Sequence, residues 1–167
     1  MSSEGEKITG ETYLVIFSLA GMDFAFPLDG VKEIIRLRPI TRLPFVPEHV
    51  RGVINLRGNV IPVLDMREMF GYEPMAYTKF TRVIVLHKDG SMMGMIVDRV
   101  LDIDPVSEEF IDRDIEKVKL PLGVSREFIV AVVNWKDRIV YLLDHGKLID
   151  RERHPESNES GSEENAV

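Results

Sequence analysis

The sequence contains no cysteine, which excludes disulfides, thiolate zinc sites and a cysteine nucleophile in any compartment. It has no apolar run near the roughly 20 residues a membrane-spanning helix needs, so no direct membrane insertion is expected. The first eleven residues, MSSEGEKITGE, are polar and acidic rather than basic and then apolar, which is not the form of a secretory signal. Positive charge is in deficit too, with 21 Lys and Arg against 28 Asp and Glu for a net charge of −7. Phosphate backbones are bound by clustered cations, so nucleic acid is not the expected partner. These absences point to a cytoplasmic protein whose partners are proteins.

Catalytic signatures are missing as well. The histidines His49, His87, His145 and His154 show no HExxH spacing, and Ser18, Ser91, Ser107 and Ser125 lack a GxSxG context. No metal site and no hydrolase nucleophile is expected. Neither GxxxxGK nor GxGxxG occurs, so nucleotide binding has no support and no cofactor is expected. The acidic pairs Asp102/Asp104 and Glu108/Glu109 read as solvated carboxylates on a polar loop. Met92, Met93 and Met95 on one strand could offer an adaptable contact surface, but core filling is the favoured reading.

What is present is a set of short apolar runs between turn signals, the pattern of many short strands. Strands are predicted at Tyr13 to Leu19, Asp23 to Pro27, Val53 to Leu56, Val60 to Leu64, Arg82 to His87, Met92 to Val97, Phe128 to Val133 and Ile139 to Leu143. Gly58-Asn59 and Asp89-Gly90 supply residues that tolerate positive φ in hairpin turns. Asp65 with Glu68 resembles a capping box for a short helix ending before Gly71, and Asp144 can cap a similar turn before Leu148 and Ile149. Residues 1–11 read as a flexible N-terminus and 12–150 as the folded body. Residues 151–167, RERHPESNESGSEENAV, have almost no apolar residue and read as a disordered acidic tail.

The chain also matches itself along two ungapped diagonals. GVINLRGNVIPVLD, from Gly52, lies on AVVNWKDRIVYLLD, from Ala131, setting Asn55 on Asn134 and Arg57 on Lys136. YLVIFSLAGMDFAFPLDGVKEI, from Tyr13, lies on RVIVLHKDGSMMGMIVDRVLDI, from Arg82. Two diagonals in the same order mean two similar halves, at about 12–80 and 81–150, each a small open barrel that buries too little surface to stand alone. The halves are therefore expected to pack together and unfold as one unit.

GVINLRG followed by VIPVLDMREMFG, with FPLDGVKEIIR from Phe26, resembles the signature of the CheW family of chemotaxis adaptors, and the likeness runs from about Thr12 to Asp150. The resemblance implies an all-β fold of two SH3-like five-stranded β-barrel lobes packed together with short helical turns. It implies no catalysis and a scaffolding role that couples chemoreceptors to the histidine kinase CheA. The expected partners are the kinase's regulatory domain and the cytoplasmic tip of the receptors, with the protein recruited to membrane-associated receptor arrays. The family's receptor-contacting positions fall on Val31, Glu33, Gly52, Asn55, Leu56 and Arg57, with Glu33 and Arg57 expected to pair; its kinase contacts map onto no residues here, since 107–123 has no motif match. An adaptor of a non-chemotaxis array such as pilus control, and a small-ligand-binding β-barrel with a pocket between lobes, remain as alternatives.

Overall fold

The computed structural model describes residues 10–153, so most of the expected N-terminal segment and residues 154–167 of the expected tail lie outside the described residues. Eleven strands follow in order: β1 (Glu11–Leu19), β2 (Met22–Pro27), β3 (Val31–Arg36), β4 (Val50–Leu56), β5 (Asn59–Asp65), β6 (Arg82–Lys88), β7 (Ser91–Val97), β8 (Arg99–Ser107), β9 (Ile111–Asp112), β10 (Ile129–Trp135) and β11 (Arg138–Leu143). A short helix, Met66–Met69, follows β5, and a longer one, His145–Arg153, follows β11. All eight expected strands are present; β3, β8 and β9 were not foreseen.

The first sheet has the order β8-β1-β2-β11-β10-β9 and the second β3-β6-β7-β5-β4. The sheets do not divide the chain near residue 80, because β6 and β7 lie with β3, β4 and β5, while β1 and β2 lie with the C-terminal strands. The two halves of the repeat exchange their first hairpins. Each exchanged hairpin is locked in by a parallel pairing, Val140 to Leu142 of β11 on Asp23 to Ala25 of β2, and Val63 to Asp65 of β5 on Gly94 to Ile96 of β7.

The exchange buries both faces of the hairpins. In β1, Leu14 and Ile16 fill the core of the first sheet's lobe, whereas Val15 and Phe17 turn to a central core shared by both lobes. In β6, Val83 and Val85 face their own lobe while Ile84 and Leu86 enter the same central core. This follows from the period-2 alternation of a strand. Phe17, Phe24 and Phe26 stack at the centre, with ring centroids 5.9 and 5.1 Å from Phe17. Met93 and Met95 are buried there and Met92 packs against the second lobe's core, so the methionines are core filling.

Four hairpins turn through two residues that both have positive φ: Ala20-Gly21, Arg57-Gly58, Asp89-Gly90 and Lys136-Asp137. This is the backbone of the twisted two-residue turn. The β4–β5 turn is thus Arg57-Gly58, one residue earlier than expected, and Asn59 already pairs with Leu56.

Asp65 caps the short helix through the amides of Arg67 and Glu68, and Gly71 ends it at φ +78°. Glu68 does not close a capping box, because its carboxylate is taken by Arg51 at 2.5 Å. Asp144 caps the longer helix through the Lys147 amide at 3.0 Å. That helix runs through Arg151, Glu152 and Arg153, so the fold continues three residues past the expected limit. The polar composition hid two contacts that hold it: Glu152 to His49 at 2.9 Å and the Arg151 guanidinium 5.2 Å from the Phe128 ring.

The start of the longer helix packs on the turn at Leu28–Gly30, where the His145 ring lies so close over Gly30 that an added Cβ would sit 2.6 Å from it. Burial pushes the His145 pKa down from its ordinary 6.5, against the smaller opposing pull of Asp29 and Asp144, with His87 and Lys88 adding to the depression. Protonation therefore favours the unfolded chain. The stability contributed by the neutral ring is complete above pH 6.5 and is lost as pH falls through the depressed folded value. The melting temperature is expected to drop more steeply between pH 7 and 5 in the wild type than in His145→Gln. Parallel slopes in thermal melts across that range would refute it.

Candidate functional site

The end of the β4–β5 hairpin is the most chemically distinctive surface of the second sheet. Its turn projects Arg57 into solvent with 72% of the side chain exposed, and NH1 of Arg57 donates to Oε2 of Glu33 on β3, the opposite edge strand of the sheet, with β6 and β7 between it and the hairpin. The expected Glu33–Arg57 pair is formed. A register shift between Val31 and Glu33 re-aims β3 at this point, the usual work of a bulge on an edge strand. Asn55 holds the turn from inside, its Oδ1 accepting the Gly58 amide at 3.0 Å, and Arg38 donates to the Asn55 carbonyl at 3.2 Å.

The six sequence-assigned positions are not alike. Glu33, Asn55 and Arg57 present polar groups at the tip. Leu56 is 4% exposed and belongs to the lobe's core, and Val31 is half-buried against the central core. Gly52 is buried under residues 40 and 41 at φ +145°, where a Cβ would lie 2.1 Å from the Thr41 carbonyl oxygen. Thr41 and Val53 exchange two 2.9 Å backbone hydrogen bonds at this crossing. Gly52 thus lets the segment after β3 lie down on β4 and bring Arg38 to the tip.

Below the tip, a polar network fixes the base of the hairpin. Tyr77 donates to Asp65 at 2.9 Å, and burial with the neighbouring Asp65 carboxylate pushes its pKa up to about 12. Arg67 makes a two-pronged pair with Asp98 at 2.8 and 2.7 Å, and Asp98 also accepts the Ala20 amide at 2.9 Å. A paired, planar guanidinium of this kind orients strongly, so the helix after β5 is tied to both lobes.

The repeat copies the tip. Lys136 Nζ lies 3.7 Å from Asp102, at the positions matching Arg57 and Glu33, and Ile139 and Val60 are exposed counterparts at 62% and 66%. Asp102 thus has a cationic partner and is not merely solvated, and Glu33 and Asp102 fall together on the second self-match. Two other acids of that stretch are engaged as well: Asp104 accepts from Trp135 Nε1 at 2.8 Å, and Glu108 accepts from Thr12 at 2.8 Å. They lie on β8 and the turn after it rather than on a loop.

Three grooves, of about 320, 310 and 400 Å³, are open depressions beside the 42–51 segment and around Phe110 and residues 134–139. Each lies along one lobe, not between the two, so they do not form the inter-lobe pocket a small-ligand protein of this shape would use.

Residues 13–153 match the model of the CheW-like domain. The chain is 34% identical over 144 residues to the chemotaxis protein CheW of Bacillus subtilis, covering 86% of this chain and 90% of that protein. A shorter match, 33% over 98 residues, is to the protein PilI of Pseudomonas aeruginosa, covering 56% of this chain and 55% of that one. Among solved structures, the scaffolding protein TtCheW of Thermoanaerobacter tengcongensis superposes with a TM-score of 0.73 at 29% identity, covering 80% of this chain and 89% of that one.

Proposed function

This chain belongs to the CheW-like family and is a chemotaxis coupling adaptor; on that basis we propose that it works without catalysis, joining the cytoplasmic tip of chemoreceptors to the regulatory domain of the histidine kinase CheA. The observation that carries the receptor half of this reading is the Arg57–Glu33 pair at an exposed turn, built on a hairpin whose base is held by half-buried polar contacts. A guanidinium already oriented by a carboxylate offers its remaining donors at little further entropic cost. A receptor helix seated over the tip would exclude water from them and raise their worth.

The output of such a protein is geometric: two partners held at a fixed separation by one rigid body. Recruitment to receptor arrays follows from receptor binding. The described residues include no helix long and apolar enough to cross a membrane.

Titration of the purified chain against a receptor-tip fragment and, separately, against the kinase regulatory domain tests the proposal. Saturable binding to each, with a ternary complex when both are present, is the expected result. Mutual exclusion of the two partners would rule out the coupling role.

A further inference from the structure

The strand β3, the segment that follows it and the β4–β5 hairpin form a cationic face in an otherwise acidic protein. Residues 31–57 contain Lys32, Arg36, Arg38, Arg42, Arg51 and Arg57 against only Glu33 and Glu48. Arg57 is paired with Glu33, and Arg51 with Glu68 and Asp65. Lys32, Arg36, Arg38 and Arg42 are exposed and make no ion pair among the described residues.

The helix His145–Arg153 delivers the chain to the edge of this face, because Glu152 meets His49 just before β4 begins. From there the segment holding Arg42 and Arg38 runs antiparallel along β4, crossing it at Thr41 and Val53 and reaching the hairpin tip where Arg38 meets Asn55. The seven residues of β4 cover roughly 23 Å at about 3.3 Å per residue. The next fourteen residues, 154–167, carry Glu156, Glu159, Glu163 and Glu164 and no Lys or Arg; extended, they reach roughly 45 Å.

We propose that the acidic segment 154–167 docks on the cationic face formed by Arg36, Arg38 and Arg42, and there competes with the receptor for the Arg57 tip. The competition rests on the receptor reading above; the docking does not. The segment has few apolar side chains to bury, so the contact is electrostatic. Tethering makes it effective: a short linker holds the glutamates at millimolar effective concentration, enough to populate a contact too weak to persist between separate molecules. Glu48 and Glu68, in the groove beside Arg42 and Arg51, repel the segment from the base of β4 and favour the outer cations.

The absence of cysteine makes the test direct. Ser160→Cys carries a nitroxide on the full chain, and amide signals are compared with and without the paramagnetic label. At low ionic strength the signals of residues 36–43 are expected to lose intensity by roughly twofold or more, recovering near 0.5 M salt, where screening is short-ranged. Signals of β8, on the other lobe, should not change. Replacing Glu156, Glu159, Glu163 and Glu164 together by Gln should abolish the broadening and tighten receptor-fragment binding about threefold to tenfold. No broadening at residues 36–43, or broadening insensitive to salt, overturns the docking. Broadening that appears only between labelled and isotope-enriched molecules mixed together also overturns it, assigning the face to a second copy. If the broadening is found but the Gln variant binds the receptor fragment no more tightly, the segment docks without competing, and the competition is refuted.

Discussion

Arg57→Ala is expected to bind the receptor fragment well over tenfold more weakly than the wild type while melting close to it. The side chain is 72% exposed at a hairpin turn, so its removal costs the fold within roughly 1 kcal/mol, as for an exposed ion pair. At an interface the same guanidinium is desolvated and bonded, and truncating an anchoring arginine there costs about 2 kcal/mol or more. Glu33→Ala should weaken binding too, and the double mutant should lose less than the sum of the single losses, because the pair acts as a unit. The backbone supplies a sharper control. Arg57 sits at φ +51° ahead of Gly58 at φ +85°, a conformation that costs an ordinary residue roughly 1–2 kcal/mol and that Asn-Gly adopts most readily. Arg57→Asn is therefore expected to melt at or above the wild type and still to bind the receptor as poorly as Arg57→Ala. Kinase affinity should hold in all these variants. Equal loss of both partners, or a collapsed melting temperature in Arg57→Ala, would return Arg57 to an ordinary structural role.

Gly52→Ala should be among the most damaging single-methyl additions in the molecule. The new Cβ would stand 2.1 Å from the Thr41 oxygen, 2.8 Å from its carbonyl carbon and 2.9 Å from Ile40 Cγ2, at φ +145°. Backbone strain and overpacking each cost roughly 1–3 kcal/mol, and the two hydrogen bonds between Thr41 and Val53 are at risk as well. A loss of roughly 3 kcal/mol or more lowers the melting temperature by about 10 °C in a protein of this size. Gly90→Ala has φ +82° but open space around the added methyl, so it suffers strain alone and should lose much less. Similar melts for the two would show that the 40–41 crossing yields easily. Because the crossing carries Arg38 to Asn55, Gly52→Ala should also weaken receptor binding, at a distance from any contact.

Gly52 shows how far the hairpin is legible in the sequence: its location can be read there, the separate part each residue plays cannot. GVINLRG marks the hairpin correctly, but the motif does not distinguish side chains that touch a partner from those that shape the turn. Alternation along β4 does so: Ile54 and Leu56 face the core, and Asn55 between them faces solvent. The strands missed in the sequence, β3, β8 and β9, are edge strands. Lys32, Glu33, Asp102 and Asp104 interrupt their apolar pattern and Pro105 stands in β8, features that keep edges from pairing further and that also make them read as loop. The hairpin exchange was beyond reach for a different reason. A hairpin with two apolar faces meets the same local rules whether it joins its own half or the other, and only the long-range parallel pairings decide.

The exchange bears on how the protein carries load. A bead-on-string adaptor would have a linker between its lobes, and a pull on one partner would first stretch that linker. Here β1 and β2 leave the first lobe directly for β3 in the second, and β6 and β7 return directly to β8 in the first. The chain thus crosses between lobes through short connections flanked by paired strands, and any displacement at the Arg57 tip is met by backbone hydrogen bonds rather than by slack. For the proposed coupling role this means that position and orientation would pass from one partner to the other with no inter-lobe linker to take up the strain.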